Sequence, residues 1–236
     1  MQLVVGLGNP GPRYAATRHN IGFRCLEMLA RRLRLDFTAA GPQYRAAVGD
    51  GPAGPVTLLQ PWTYMNRSGD ALLAWARETG WRVGVAPDSP DPLSPESAAA
   101  TTAAAESAAA GEGTAAAAPV PAVVPIVVCD DLHLALGSVR IRGRGSDGGQ
   151  KGLASVTQAI GGQSFPRVRL GVGPPDAAVP PIDWADYVLA DFAAEELAAA
   201  AELAQYGADA LLAVLAEGWP TAAVRYNRRG RPELPG

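Results

Sequence analysis

The chain opens on a short β-branched and apolar run, QLVVGL, cut off by Gly6, Gly8, Pro10 and Gly11. Such a run is too brief for a helix and reads as a strand delivered into a loop. From Ile21 to Leu35 the period changes: Ile21, Cys25, Met28, Leu29 and Leu33 recur at helical spacing, with Asn20 available as N-cap. The alternation continues along the chain. YRAAVGD and GPVTLLQP read as paired strands joined by a glycine-rich turn, and SGDALLAWARETGW reads as a helix capped at Ser68. Further on, a buried-strand run ends at Asp130, and a second strand carries Arg140 and Arg142 on one face by its period of two. GRGSDGGQKGLASVTQAIGG is a glycine-rich loop opening a helix, FPRVRLGVG a further strand, and the alanine-rich segment from Asp186 to Glu217 helical. Strands interleaved with helices predict an α/β fold: a single domain over 1–236, with a mixed β-sheet flanked by helices.

One stretch breaks the pattern. At about 85–121 the sequence turns to Pro, Ala, Ser, Thr and acidic residues, with little to bury, and is expected to be a disordered insertion or a transient alanine helix. This stretch also distorts the charge balance. The formal net charge is −3, yet no Lys or Arg falls between Arg82 and Arg140, while Asp88, Asp91, Glu96, Glu106 and Glu112 crowd the same region. Those five acids outweigh the net charge, so the remainder is mildly basic. Its arginines gather at Arg140, Arg142, Arg144, Arg167 and Arg169, and again at Arg225, Arg228, Arg229 and Arg231. Clustered arginine suits phosphate contact, although a solvated surface accounts for it equally well. No apolar run approaches a membrane span and no signal-peptide pattern stands at the N-terminus, so a cytoplasmic location is expected. Cys25 and Cys129 have neither disulfide-framework nor zinc spacing and are expected as buried small hydrophobes.

Gly6, Gly8 and Gly11 spell G-x-G-x-x-G after a strand, the spacing of a dinucleotide-binding turn. Two features argue against it. Pro10 and Pro12 remove backbone donors that a pyrophosphate needs, and the helical pattern starts only near Ile21. The polar residues that sit oddly for a plain core are Asn9 and Tyr14 in the first loop, His19 before the helix, Asn66 in PWTYMNRSG, and Asp130 at the end of a β run. His19 is one of only two histidines in the chain. Strand ends collect ligands in open α/β sheets, so these groups can converge. Each also has a plain alternative as turn former, cap or helix-flanking polar residue.

VVGLGNPGPRYAATRHNIGF, LLQPWTYMNRSGDAL, VVCDDLHLALGSVRIRGRGSDGGQKGLASV and FPRVRLGVGPP together resemble, in order and wording, the bacterial peptidyl-tRNA hydrolase family. The resemblance covers nearly the whole chain outside the alanine-rich stretch. It implies a monomeric esterase, without cofactor or metal, that cleaves the ester between a peptide and the terminal ribose of tRNA. His19 then takes the role of water-activating base, with Asp130 holding its other ring nitrogen, because a neutral imidazole suits that task near pH 7. Asn9 and Asn66 match positions that hold the peptide and the scissile carbonyl, Asn9 being grouped with the catalytic residues. Met65, Tyr14, Gln150 and Lys151 match the substrate cleft, and Arg140, Arg142 and Arg169 match positions that contact tRNA phosphate, with Arg167 and Arg144 assisting. One departure stands out: many relatives read G-G-H-N-G where this chain has Gly148, Gly149, Gln150, Lys151 and Gly152. Lysine cannot accept a hydrogen bond and adds charge near the tRNA terminus. The rival reading is an RNA-binding or splicing-factor relative on the same scaffold; a cysteine hydrolase pairing Cys129 with His133 lacks a third group.

Overall fold

The computed structural model describes residues 1–86, 122–173 and 183–227. In chain order its elements are β1 (Gln2–Gly6), α1 (Ile21–Leu33), β2 (Ala39–Ala40), β3 (Tyr44–Gly51), β4 (Gly54–Pro61), α2 (Ser68–Thr79), β5 (Arg82–Val83), β6 (Ala122–Val123), β7 (Pro125–Ala135), β8 (Val139–Arg142), α3 (Lys151–Ile160), β9 (Arg167–Gly173), α4 (Trp184–Leu189), α5 (Leu197–Glu217) and α6 (Trp219–Tyr226). One seven-stranded sheet runs in the order β2-β3-β4-β1-β7-β9-β8, and β5 pairs separately with β6. The inner four strands are parallel. On the outside, β3 pairs antiparallel with β4 and β8 with β9, which makes the sheet mixed, as expected from the sequence.

Period two explains how this sheet is covered. Val4, Val128 and Leu170 point to the layer of α1, α5 and α6, whereas Leu3, Val5, Val127 and Cys129 point to α2 and α3. Strands buried on both faces need no polar alternation, hence the continuous LVV and IVV runs. The glycine pattern after β1 has a packing cause. A Cβ on Gly8 would stand 2.7 Å from the Phe23 ring, and one on Gly22 would stand 2.4 Å from the Leu7 carbonyl oxygen. The glycines thus let α1 cross the end of β1 at close range, and the chain passes through short turns at Pro12–Tyr14 and Arg18–Asn20 before that helix begins.

Several local expectations shift. α1 stops at Leu33 rather than Leu35, because Arg34 turns into the left-handed region at φ 57°. Ser68 is the first residue of α2 rather than its cap; its hydroxyl donates back to the Met65 carbonyl at 2.8 Å, closing the turn Met65–Arg67. β7 continues past Asp130 to Ala135, with an irregular register against β9 beyond Asp131. α6 follows Glu217 without warning from the sequence: Gly218, at φ 84°, breaks α5, and Pro220 suits the first turn of the next helix. The segment Ala194–Glu217 is, by length and composition, apolar enough to cross a membrane, contrary to the sequence reading. Leu203, Leu211 and Val214 within it are buried in the core beside α1, so a core helix accounts for the same composition. The expected insertion falls almost wholly on 87–121, outside the described residues, as do Arg228, Arg229 and Arg231.

Candidate active site

β1 and β4 lie side by side, yet the chain leaves β1 for α1 on one face of the sheet and β4 for α2 on the other. Diverging connections open a crevice at the carboxyl ends of the parallel strands. A cleft of about 550 Å³ occupies it. Asn9 reaches it from the loop after β1, Met65 and Asn66 from the turn after β4, Asp130 from β7, and His19 from the turn preceding α1. Gln150, Lys151 and Arg169 complete the convergence from the start of α3 and from β9.

The central feature is a chain of hydrogen bonds. His19 Nδ1 lies 2.9 Å from Asp130 Oδ2, and both side chains are nearly sealed from solvent. A carboxylate only accepts, so Nδ1 donates and the lone pair of Nε2 is left for chemistry. The other oxygen, Asp130 Oδ1, accepts from Gln150 Nε2 at 2.9 Å. Gln150 is fixed in turn: its Oε1 accepts from the Leu153 backbone N–H at 2.8 Å and caps α3. Gln150, expected against the substrate, thus lines the cleft and is also joined to the carboxylate.

A second set of bonds orients Asn9. Its Oδ1 accepts from the Met65 backbone N–H at 2.8 Å, bridging the loops after β1 and β4. Asn20 clamps its backbone from behind: Asn20 Oδ1 accepts from the Asn9 N–H at 2.8 Å, and Asn20 Nδ2 donates to the Asn9 carbonyl at 2.9 Å. With Oδ1 engaged, the donor end of the Asn9 amide is the one available to a ligand. Asn20 therefore serves Asn9 and gives α1 no side-chain cap.

The remaining expected residues are less central. Tyr14 does not line the cleft; its ring meets Tyr64 edge-on at 6.5 Å, and Tyr64 forms the wall. Arg140 and Arg142 also lie outside the cleft, on the edge strand β8, opposite Arg169 and Arg167 respectively, so all four share one face of the sheet. Arg140 is exposed and Arg142 half-buried. Arg169 donates to Asp131 Oδ2 at 3.1 Å and to the Ser146 carbonyl at 2.6 Å, which fastens the glycine-rich loop before α3. Arg167 is fully buried beneath the same loop, donating to the carbonyls of Gly145, Ser146 and Gln163 over the ring of Phe165. Desolvation lowers its pKa to about 10; its role is structural, and it does not assist at the surface.

Sequence reasoning missed Asn20, Tyr64, His133 and the far wall of the cleft. That wall comes from α4, through Trp184, Ala185, Val188 and Leu189. No local pattern ties this segment to His19. Both cysteines are buried, and burial pushes their thiols far above the ordinary range. Cys129 packs toward α2 and α3, whereas His133 is exposed on the strand's extension, so no Cys–His pair forms.

The pattern described as Peptidyl-tRNA hydrolase matches residues 3–84 and 101–233. A relative named peptidyl-tRNA hydrolase from Roseiflexus sp. (strain RS-1) is 38% identical over 227 residues, covering 96% of this chain and 86% of the relative. One from Chloroflexus aurantiacus is 37% identical, covering 96% of this chain and 99% of its own length. Among solved structures, the peptidyl-tRNA hydrolase of Acinetobacter baumannii superposes with a TM-score of 0.69 at 25% identity, covering 97% of this chain and 95% of that one. A complex of a peptidyl-tRNA hydrolase with N-propanol gives 0.71 at 25% identity, covering 98% and 97%. With its fold, its motifs and nearly its full length in common with these proteins, the chain belongs to the peptidyl-tRNA hydrolase family.

Proposed function

We propose that this chain hydrolyses the ester linking a peptide, or an N-blocked aminoacyl group, to the terminal ribose of tRNA, with His19 as the base. The observation that carries this reading is the buried chain His19–Asp130–Gln150 at the carboxyl ends of the strands. His19 Nε2 takes a proton from water as the oxygen attacks the ester carbon, while Asp130 stabilises the imidazolium that forms. Collapse of the tetrahedral intermediate returns that proton to the departing ribose oxygen. The donor end of Asn9, with Asn66 beside it on the cleft wall, suits the acyl carbonyl and its developing charge. Lys151, exposed at the start of α3 and also lining the cleft, offers a cation where Asn is usual in the family. A protein that only binds RNA needs none of this hydrogen-bonded chain. The test is release of N-acetylaminoacyl groups from tRNA by the purified protein, with free aminoacyl-tRNA left largely intact; failure to release them removes the assignment.

The tRNA body is best met by the arginine face of β8 and β9. Phosphate contacts release counterions, so binding weakens as salt rises. Replacing Arg140 and Arg142 together by glutamine is expected to raise KM, leave kcat unchanged, and flatten the salt dependence of log KM by about one to two units. An unaltered salt slope puts the tRNA elsewhere. We further infer a monomer acting in the cytoplasm, without cofactor.

The alanine-rich stretch at about 85–121 is a dispensable insertion in this reading. Its flanks pair with each other, β5 and β6 running in parallel with Arg82 opposite Ala122, and the family match omits 85–100 and resumes at 101. A flexible linker of about ten residues in its place is expected to preserve folding and turnover, because loop-closure entropy varies slowly with length. Lost solubility or activity in that variant contradicts the assignment.

A further inference from the structure

Arg18 has no part in the chemistry described above, yet it is among the most heavily engaged side chains in the protein. It stands one residue before His19 and is buried, with 7% of its side chain exposed. Its guanidinium pairs with the Glu196 carboxylate, which also accepts from the Ala193 N–H at 2.8 Å. It donates to the Asp191 carbonyl at 2.6 Å and lies 4.3 Å over the ring of Tyr187 and 5.2 Å from that of Phe192. Its backbone N–H donates to the Ala190 carbonyl at 3.1 Å, and Thr17 bridges to Asp191. Arg18 Nε is buried without a hydrogen-bond partner. Burying a cation is costly and is repaid only in part by its partner, so this arrangement is weak as a device for stability alone.

Every group that Arg18 holds belongs to α4 or to the segment after it. Tyr187 sits in the middle of α4, its hydroxyl donating to the Val172 carbonyl at 3.0 Å and its ring meeting Trp184 edge-on at 6.2 Å. Trp184, Val188 and Leu189 of that helix form the cleft wall. We infer that Arg18 is a positioning residue that braces α4 against the turn carrying His19, and so sets the cleft wall that holds the substrate beside the imidazole. This rests on the ester-hydrolase reading above. The brace acts on binding rather than on proton transfer, because His19 has its own orienting partner in Asp130.

Arg18→Met is expected to raise KM for N-acetylaminoacyl-tRNA about tenfold with kcat within about threefold of wild type, the pattern of lost ground-state contact. The affinity for tRNA carrying the same group through a non-hydrolysable amide is expected to fall by about the same factor. Tyr187→Leu keeps the Arg18–Glu196 pair but removes the ring on which the guanidinium rests, whereas Tyr187→Phe keeps that ring and loses only the hydroxyl bond to the Val172 carbonyl. The leucine variant is expected to show the same split and the phenylalanine variant near-wild-type constants, and this pair decides the matter if Arg18→Met does not fold. A fall in kcat at constant KM, or no change in either constant, in Arg18→Met or Tyr187→Leu overturns the brace. Wild-type protein that neither hydrolyses the ester nor binds the amide overturns the hydrolase reading itself, and the brace with it.

Discussion

His19→Ala is expected to lower turnover of N-acetylaminoacyl-tRNA by about a hundredfold or more while leaving KM nearly unchanged. Among the described residues, the imidazole is the one group in the cleft with a lone pair held in a fixed direction by a buried carboxylate, Nδ1 being 2.9 Å from Asp130 Oδ2. Removing it leaves water to attack without a base. Asn9 still presents its donor, since its orientation depends on Met65 and Asn20 rather than on the histidine. The variant therefore keeps whatever stabilisation the amides give to the carbonyl, and residual turnover above the uncatalysed rate is expected. Single-turnover measurements with saturating enzyme separate the chemical step from release. Turnover equal to that of wild type excludes His19 as the base.

The same residue marks how far the amino-acid order alone carries the argument. β1, β4, β7 and α1 were readable because local period and punctuation agree with the final packing, and Asn9, His19, Asn66 and Asp130 stand at or near the carboxyl ends of those strands. Legibility fails where one side chain has two physically reasonable partners. Asn20 and Ser68 stand where caps belong, yet one clamps the backbone of Asn9 and the other closes the turn before α2. Arg167 and Arg169 alternate in one strand and look equivalent. The edge position of β8 and the loop folded over β9 make one a buried strut and leave the other on the cleft. Nothing near Trp184 in sequence indicates that α4 faces His19; that contact is made through Arg18, far away along the chain.

Asp130→Asn should be nearly as damaging as loss of the imidazole, for a reason that lies in Gln150. The Gln150 carboxamide cannot turn over freely, because its Oε1 accepts from the Leu153 N–H and its Nε2 must therefore donate toward residue 130. An asparagine there answers with its oxygen toward Gln150 and its amide nitrogen toward His19. Nδ1 is then forced to accept, the ring proton moves to Nε2, and the lone pair that should receive a proton from water is gone. In a triad hydrolase the equivalent wrong tautomer costs about 10⁴-fold in kcat, and a loss of about 10³- to 10⁴-fold is expected here. Adding Gln150→Glu reverses the logic. A glutamate can still accept from Leu153 and cap α3, but toward residue 130 it only accepts, so the asparagine turns its nitrogen to the new carboxylate and its oxygen to Nδ1–H. The tautomer is restored and the negative charge returns one residue further from the imidazole. The double variant is thus expected to exceed Asp130→Asn in kcat by about tenfold or more, a strongly non-additive result for residues in one hydrogen-bonded chain. Equal or lower activity in the double variant means that Asp130 acts through its charge alone and that the direction of its hydrogen bonds is immaterial.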